Sequence, residues 1–396
     1  MCAQILSTEI FEPSFKSLQV LTPNNLLGNP ILLSNIDNSR LIFSFDELAD
    51  DSRYLRYRII HCDINWQPSD ISELEYVNGF NEAAISNYSF SENTLTNYVH
   101  YEFELPNEDI RPLISGNYIV QVFDESDSEQ TLLQARFMVS EGIVPISASV
   151  SSRTDMGNND LYQQLYVDAD VSGGRVENPY TDLSLKIIPN YQECGQRIIS
   201  APLRASASNV IYEHQKDLVF QAGNEYRRFD ISNVKYPGMH VELYDFEEPY
   251  YIANIVKDYP KANSNYQYDS TQFGRYFVSE LNAEFPETQS DYILTNFMLV
   301  SPKLDKDVYI EGDLTLRQLN ENSKMDYNVS LQAYTKTLLL KQGMYNYKYI
   351  TQDTNSNVIE GNFYETNNEY LILLYYKPNN SRYYRLIGST SITTNK

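Results

Sequence analysis

Apolar residues recur at every second position through most of the chain, in short runs separated by Gly, Pro, Asn, Asp and Ser. Side chains alternate across a strand, so such runs predict half-buried β-strands. The first series falls at 17–22, 30–34, 40–45, 54–62, 98–105, 117–123 and 132–139. Val99, Tyr101, Phe103 and Leu105 share one face, as do Tyr118, Val120 and Val122, and Leu133, Ala135, Phe137 and Val139. Six or seven such strands in about 140 residues predict an immunoglobulin-like sandwich.

A second series starts at Val144-Pro145 with runs at 146–150 and 161–171, where Leu161, Leu165, Val167, Ala169 and Val171 alternate with mostly polar partners. A third opens at 291–300, where both faces are apolar and a strand covered on both sides is expected. Gly312-Asp313 and the later LKQGMYNYKYI run are similar to early-set sandwich modules that bind glycogen-like sugars; those modules grip sugar with tryptophans, and tyrosines would have to substitute here. The expected fold is all-β: tandem immunoglobulin-like or early-set β-sandwich domains with few short helices. The boundaries read as 1–142 for an N-terminal sandwich with a long aromatic loop, 143–287 for a middle sandwich and 288–396 for a C-terminal early-set-like sandwich. Short linkers predict a semi-rigid rod or arc.

The composition agrees, with 34 Tyr and only 15 Gly favouring strands over long helices. The net charge of -23 is uneven: residues 1–142 carry 7 basic and 22 acidic side chains, 143–287 carry 12 and 20, and 288–396 carry 11 and 11. An acidic field repels phosphates and anionic headgroups, which disfavours nucleic acid and electrostatic membrane binding. No run approaches the roughly 20 apolar residues that span a bilayer, so a soluble chain is expected. Cys2, Cys62 and Cys194 are widely spaced and suggest neither a disulfide framework nor a zinc site. The start, MCAQ, resembles the end of a removed signal peptide behind a replacement Met, with a lipidated Cys2 as the competing expectation.

Candidate chemistry is sparse. His61, Cys62 and Asp63 invite a metal or nucleophile, but on a strand Cys62 faces away from its two neighbours. Asp305, Asp307, Glu311 and Asp313 could suit calcium, yet the twelve-residue calcium loop is missing and a solvated strand face is the simpler account. No nucleophile elbow, zinc-helix, phosphate-loop or dinucleotide motif occurs, and no cofactor, metal or catalytic residue is expected. A hidden carboxylate pair of glycosidase type is the enzymatic alternative. The acidic-aromatic segment 244–251 is a possible partner surface, or simply a strand end with exposed acids. The segment 65–97 is longer than a sandwich connection requires, and such loops tend to be functional. Its Trp66, Tyr76 and Phe80 are the candidate partner contacts, against the reading that Trp66 folds back as the core of its own loop.

The stretches IHCDINWQPSDISELEYVNGFNE (60–82), LPNEDIRPLISGNYIVQVF (105–123), LKQGMYNYKYI (340–350), GNFYETNNEYLILLYY (361–376) and RLIGS (385–389) resemble the type IX secretion system plug proteins of Bacteroidota. The resemblance implies a periplasmic, non-enzymatic subunit that binds the outer-membrane translocon barrel and seals its periplasmic opening when idle. It implies a monomer within a hetero-complex, with no nucleic acid partner and no insertion into the membrane. A carbohydrate-binding multi-sandwich protein of the periplasm or cell surface is the alternative.

Overall fold

The computed structural model describes residues 5–394 except 24, 26, 37, 156, 158 and 353–356; Cys2 and its neighbours lie outside the described residues. The chain is all-β, 47% strand and 5% helix. Four sheets stack face to face. The first contains Phe15–Leu21, Leu41–Glu47, Val99–Leu105 and Asn87–Phe90 in that order. The second runs Glu9–Ile10, Asp127–Ser140, Gly116–Asp124, Leu55–Cys62, Ala83–Ala84, with Ile31–Leu33 added in parallel to Asp127–Ser140. The third runs Arg197–Ile199, Leu183–Pro189, Glu369–Tyr376, Arg385–Thr393, and the fourth is built on Ile146–Ser151, Tyr162–Asp170 and Asn209–Tyr212.

The predicted alternation places the cores. Tyr57, Ile59, Tyr101, Phe103, Val120 and Phe137 meet between the first and second sheets, with Tyr57 stacked 4.1 Å from Phe103. Val167, Val210, Leu185, Ile372 and Leu374 meet between the third and fourth. A further apolar layer lies between the second and third sheets, where Cys62, Ile119 and Met138 face Ile188, Leu371, Leu373 and Tyr375. Glu369–Tyr376 is thus buried on both faces, which explains its unbroken apolar run. The expectation of two covered faces was attached to 291–300 and is corrected there. In Tyr292–Val300 one side, Ile293, Thr295, Phe297 and Leu299, is buried, while beyond the buried Tyr292 the opposite side is half-buried and carries an Asn254–Asn296–Thr337 hydrogen-bond ladder.

Strand pairing crosses the boundary expected at 287/288 where Arg227–Asp230 and Tyr276–Val278 both pair with Gly343–Thr351, and at two further places. Tyr251 pairs with Ile293, and Leu183–Pro189 pairs antiparallel with Glu369–Tyr376. The C-terminal hairpin therefore closes the middle sandwich. The third sandwich, with its core drawn from Phe229 to Ile359, is inserted between the two halves of the second. Backbone pairing of this kind is non-local and leaves no mark in the alternation.

The three sandwiches touch pairwise, whereas the short linkers predict a semi-rigid rod or arc. The first and third share a buried Asp46–Lys341 pair (2.5 Å) whose carboxylate also accepts the Tyr292 hydroxyl (2.7 Å) and bonds His100 Nδ1 (2.6 Å). Burial of Asp46 opposes ionisation, but Lys341 and His100 outweigh it and hold the carboxyl below its usual range. The second and third share Arg275–Glu369 (2.6 Å) and the Arg317 guanidinium on the Asn190 carbonyl (2.8 Å).

Candidate partner-binding loop

After Leu55–Cys62 the chain reverses around Asp63. Its carboxylate accepts the N–H groups of Asn65 (2.8 Å) and Gln67 (2.9 Å), and its carbonyl accepts that of Trp66 (3.0 Å). This turn puts Trp66 in the left-handed region (φ 64°) and swings its indole back into the layer between the second and third sheets. There the ring is 5% exposed, with the Arg136 guanidinium 4.3 Å from its centre and the Lys186 ammonium 5.9 Å away. Lys186 Nζ donates to the Ile64 carbonyl (2.8 Å), Arg136 Nε to the Leu6 carbonyl (2.7 Å), and Leu6 N–H to the Trp66 carbonyl (3.0 Å). Tyr375 from the C-terminal hairpin donates to Asn117, whose amide donates to the Asp63 carbonyl (2.7 and 2.8 Å). Burial pushes the Lys186 ammonium down to about 7.

Further on, Ser72 starts the short helix Glu73–Tyr76, with its N–H bonded by the Glu75 carboxylate (2.9 Å). Tyr76 at the helix end is 5% exposed and sits in the first core. Asn81 clamps the loop, its amide donating to the Ile59 carbonyl (2.7 Å) and its Oδ1 accepting the Ile59 N–H (2.9 Å). Phe80 lies between these two anchors and is 91% exposed.

The three candidate contacts thus separate. Trp66 and Tyr76 are buried, one ring between sandwiches and the other within the first. Phe80 stays available. Leu74, exposed on the helix, and Leu113, exposed beside the loop through the pairing of Pro112 with Val77, join it as apolar surface that the sequence reading missed. Only solvent exposure distinguishes them, and no spacing rule reveals it.

The His61–Cys62–Asp63 triplet splits as alternation requires. His61 Nδ1 pairs with Ser69 Oγ (2.9 Å) and Nε2 with the Ser115 carbonyl (3.3 Å), and burial pushes the imidazole down to about 4, so the ring is neutral. Cys62 points into the opposite layer, where burial pushes its thiol up to about 12. Glu311 and Asp313 both pair with Arg317 (3.0 and 2.6 Å) and Asp307 with Lys324 (2.7 Å), so these carboxylates are neutralised by cationic side chains. Among the described residues no group of three His, Cys, Asp or Glu is placed to hold a metal ion, and no helix is long and apolar enough to cross a membrane.

Residues 15–141 match the family model described as "Type 9 secretion system plug protein 1st domain". Over the full length, the chain is similar to a solved structure of a hypothetical protein from Parabacteroides merdae ATCC 43184, at 36% identity and a TM-score of 0.95, with 98% of this chain and 100% of that one covered. Escherichia coli alpha-2-macroglobulin activated by porcine elastase aligns with 98% of this chain and 35% of its own at 8% identity and a TM-score of 0.19, too slight a likeness to carry an argument. No curated protein matches. With its first sandwich covered by the family model and its whole length shared with a 36% identical relative, the chain belongs to the type IX secretion system plug protein family.

Proposed function

We propose that the protein is a non-enzymatic periplasmic subunit that binds the outer-membrane translocon barrel of the type IX secretion system and seals its periplasmic opening when no cargo is in transit. Family membership carries this reading. The pairwise locking of the three sandwiches supports it, because a seal must resist deformation and each interface here contains buried polar or aromatic contacts. Phe80, with Leu74 on the preceding helix, supplies an apolar contact; a few large side chains usually dominate such binding. The acidic first sandwich adds orientation and association rate more than affinity.

The test is a pull-down from outer-membrane extracts with the tagged protein. A large barrel protein should co-purify with the wild type and be depleted with a folded Leu74→Ala/Phe80→Ala variant. Failure of the wild type to recover any barrel removes the proposal, and full recovery with the variant removes only the loop contact.

A further inference from the structure

Strand Asn87–Phe90 has an open edge. Among the described residues it pairs only with Val99–Leu105, in the register Asn87↔Glu102 to Phe90↔Val99. The Ser91 N–H donates to the Tyr98 carbonyl (2.9 Å), so Ser89 and Asn87 also direct their backbone groups to that partner. By the same alternation, the N–H and C=O of Tyr88 and Phe90 point outward. All four residues are exposed, and none is the Pro or charged residue that commonly guards an edge.

This edge borders a groove shared with the third sandwich. Tyr88, Phe90 and Phe285 are exposed at 44%, 49% and 55% and give it an aromatic lining. Glu92, Glu102 and Glu287 line it too, without an ion-pair partner among the described residues, and no Lys or Arg does. The groove is preformed. Glu92 N–H donates to the Thr288 carbonyl (2.9 Å), the Asp291 carboxylate accepts the N–H groups of Leu95 (2.8 Å) and Thr96 (3.2 Å), and Tyr98 donates to the Ser290 carbonyl (2.9 Å). A site held in this way loses little conformational entropy on binding.

We propose that the groove receives an extended, Lys- or Arg-bearing segment of a partner protein, which adds as a strand along Tyr88 and Phe90 while its cationic side chains lie among Glu92, Glu102 and Glu287. Outward backbone groups are what strand addition requires. Aromatic rings beside carboxylates suit the stems and charged heads of Lys and Arg. A second copy of this chain, with its charge of -23, is the wrong sign for the site. The proposal goes beyond the barrel reading and is tested without the barrel, so either can fail alone.

The probe is a fluorescein-labelled alternating Lys–Val peptide of about twelve residues, with a Glu–Val peptide as counter-probe, titrated against the full chain at physiological salt. The Lys–Val peptide should bind and the Glu–Val peptide should not. The variant Glu92→Gln/Glu102→Gln/Glu287→Gln, which changes only partly exposed side chains without ion pairs, should weaken binding about tenfold. Neutralising Glu108, Glu129 and Glu177 in the same way should leave affinity within about twofold. Hydrogen exchange should slow at the Tyr88 and Phe90 amides on peptide binding and stay unchanged at Ser89, which is already bonded. Equal loss in the two triple variants would mean diffuse attraction to an acidic surface. That result, absence of Lys–Val binding, or unaltered exchange at Tyr88 and Phe90 overturns the proposal.

Discussion

Trp66 and Phe80 lie fourteen positions apart in one loop and end in opposite environments, 5% and 91% exposed. The difference comes from what each backbone segment is tied to: the Asp63 turn throws Trp66 inward, whereas the Tyr76 and Asn81 anchors leave Phe80 outside. Trp66→Ala should cost about 3–5 kcal/mol, the range for a large buried aromatic. Phe80→Ala should stay within about 0.5 kcal/mol, as exposed substitutions do. Urea unfolding of both variants checks the pair, and the wild type's single Trp reports directly on separation of the first two sandwiches. Lys186 gives a pH prediction at the same place. Its folded value is lowered to about 7 from 10.5, so between those values the unfolded chain holds the proton and the folded one does not. Stability then rises with pH across that window and is flat from this source below it. Wild type should gain on Lys186→Met between pH 7 and 10; parallel curves would contradict the assignment.

At the scale of elements, two strands with similar apolar runs behave differently. Glu369–Tyr376 is packed between two layers, so Leu371→Ala and Ile372→Ala, on opposite faces, should each cost about 2–5 kcal/mol. In Tyr292–Val300 one face is core and the other only half-buried, so Phe297→Ala should cost clearly more than Met298→Ala. Equal losses in that second strand would show that its outer face is covered after all. The antiparallel pair of Leu55–Cys62 and Gly116–Asp124 contains a tighter constraint. A Cβ at Gly116 would stand 2.5 Å from His61 Nε2 at a φ of 141°, a conformation L residues rarely adopt. Gly116→Ala should therefore destabilise by about 1–3 kcal/mol, measurable as a lowered Tm.

For the whole molecule, the pairwise contacts predict one cooperative transition, with Trp fluorescence and circular dichroism coinciding on heating. The Asp46–Lys341 pair is the sharpest test of the first and third sandwiches acting together. Removing one partner strands a buried charge, so Asp46→Ala or Lys341→Met alone should cost about 3–5 kcal/mol. The double variant should lose less than the sum, because neither charge is then left alone. The lowered carboxyl of Asp46 contributes stability that is present above its ordinary value of 3.8 and lost as pH falls through the folded one. The double variant should be less sensitive to acid over that range than the wild type.

Alternation by itself determined much of this protein: the all-β class, the inward faces of Val99–Leu105 and Gly116–Asp124, and the separation of His61 from Cys62 that removes chemistry from the triplet. These follow because a strand's two faces are written in the parity of its residues. Tertiary structure alone decided which strands pair, so that the C-terminal hairpin completes the middle sandwich and the third is inserted within it. It also decided that Trp66 and Tyr76 are interior while Phe80 is not. The physical reason is common to both. Parity records that a face is apolar but not what covers it, and backbone hydrogen bonds are blind to side-chain identity, so a partner hundreds of residues away leaves no trace in the local pattern.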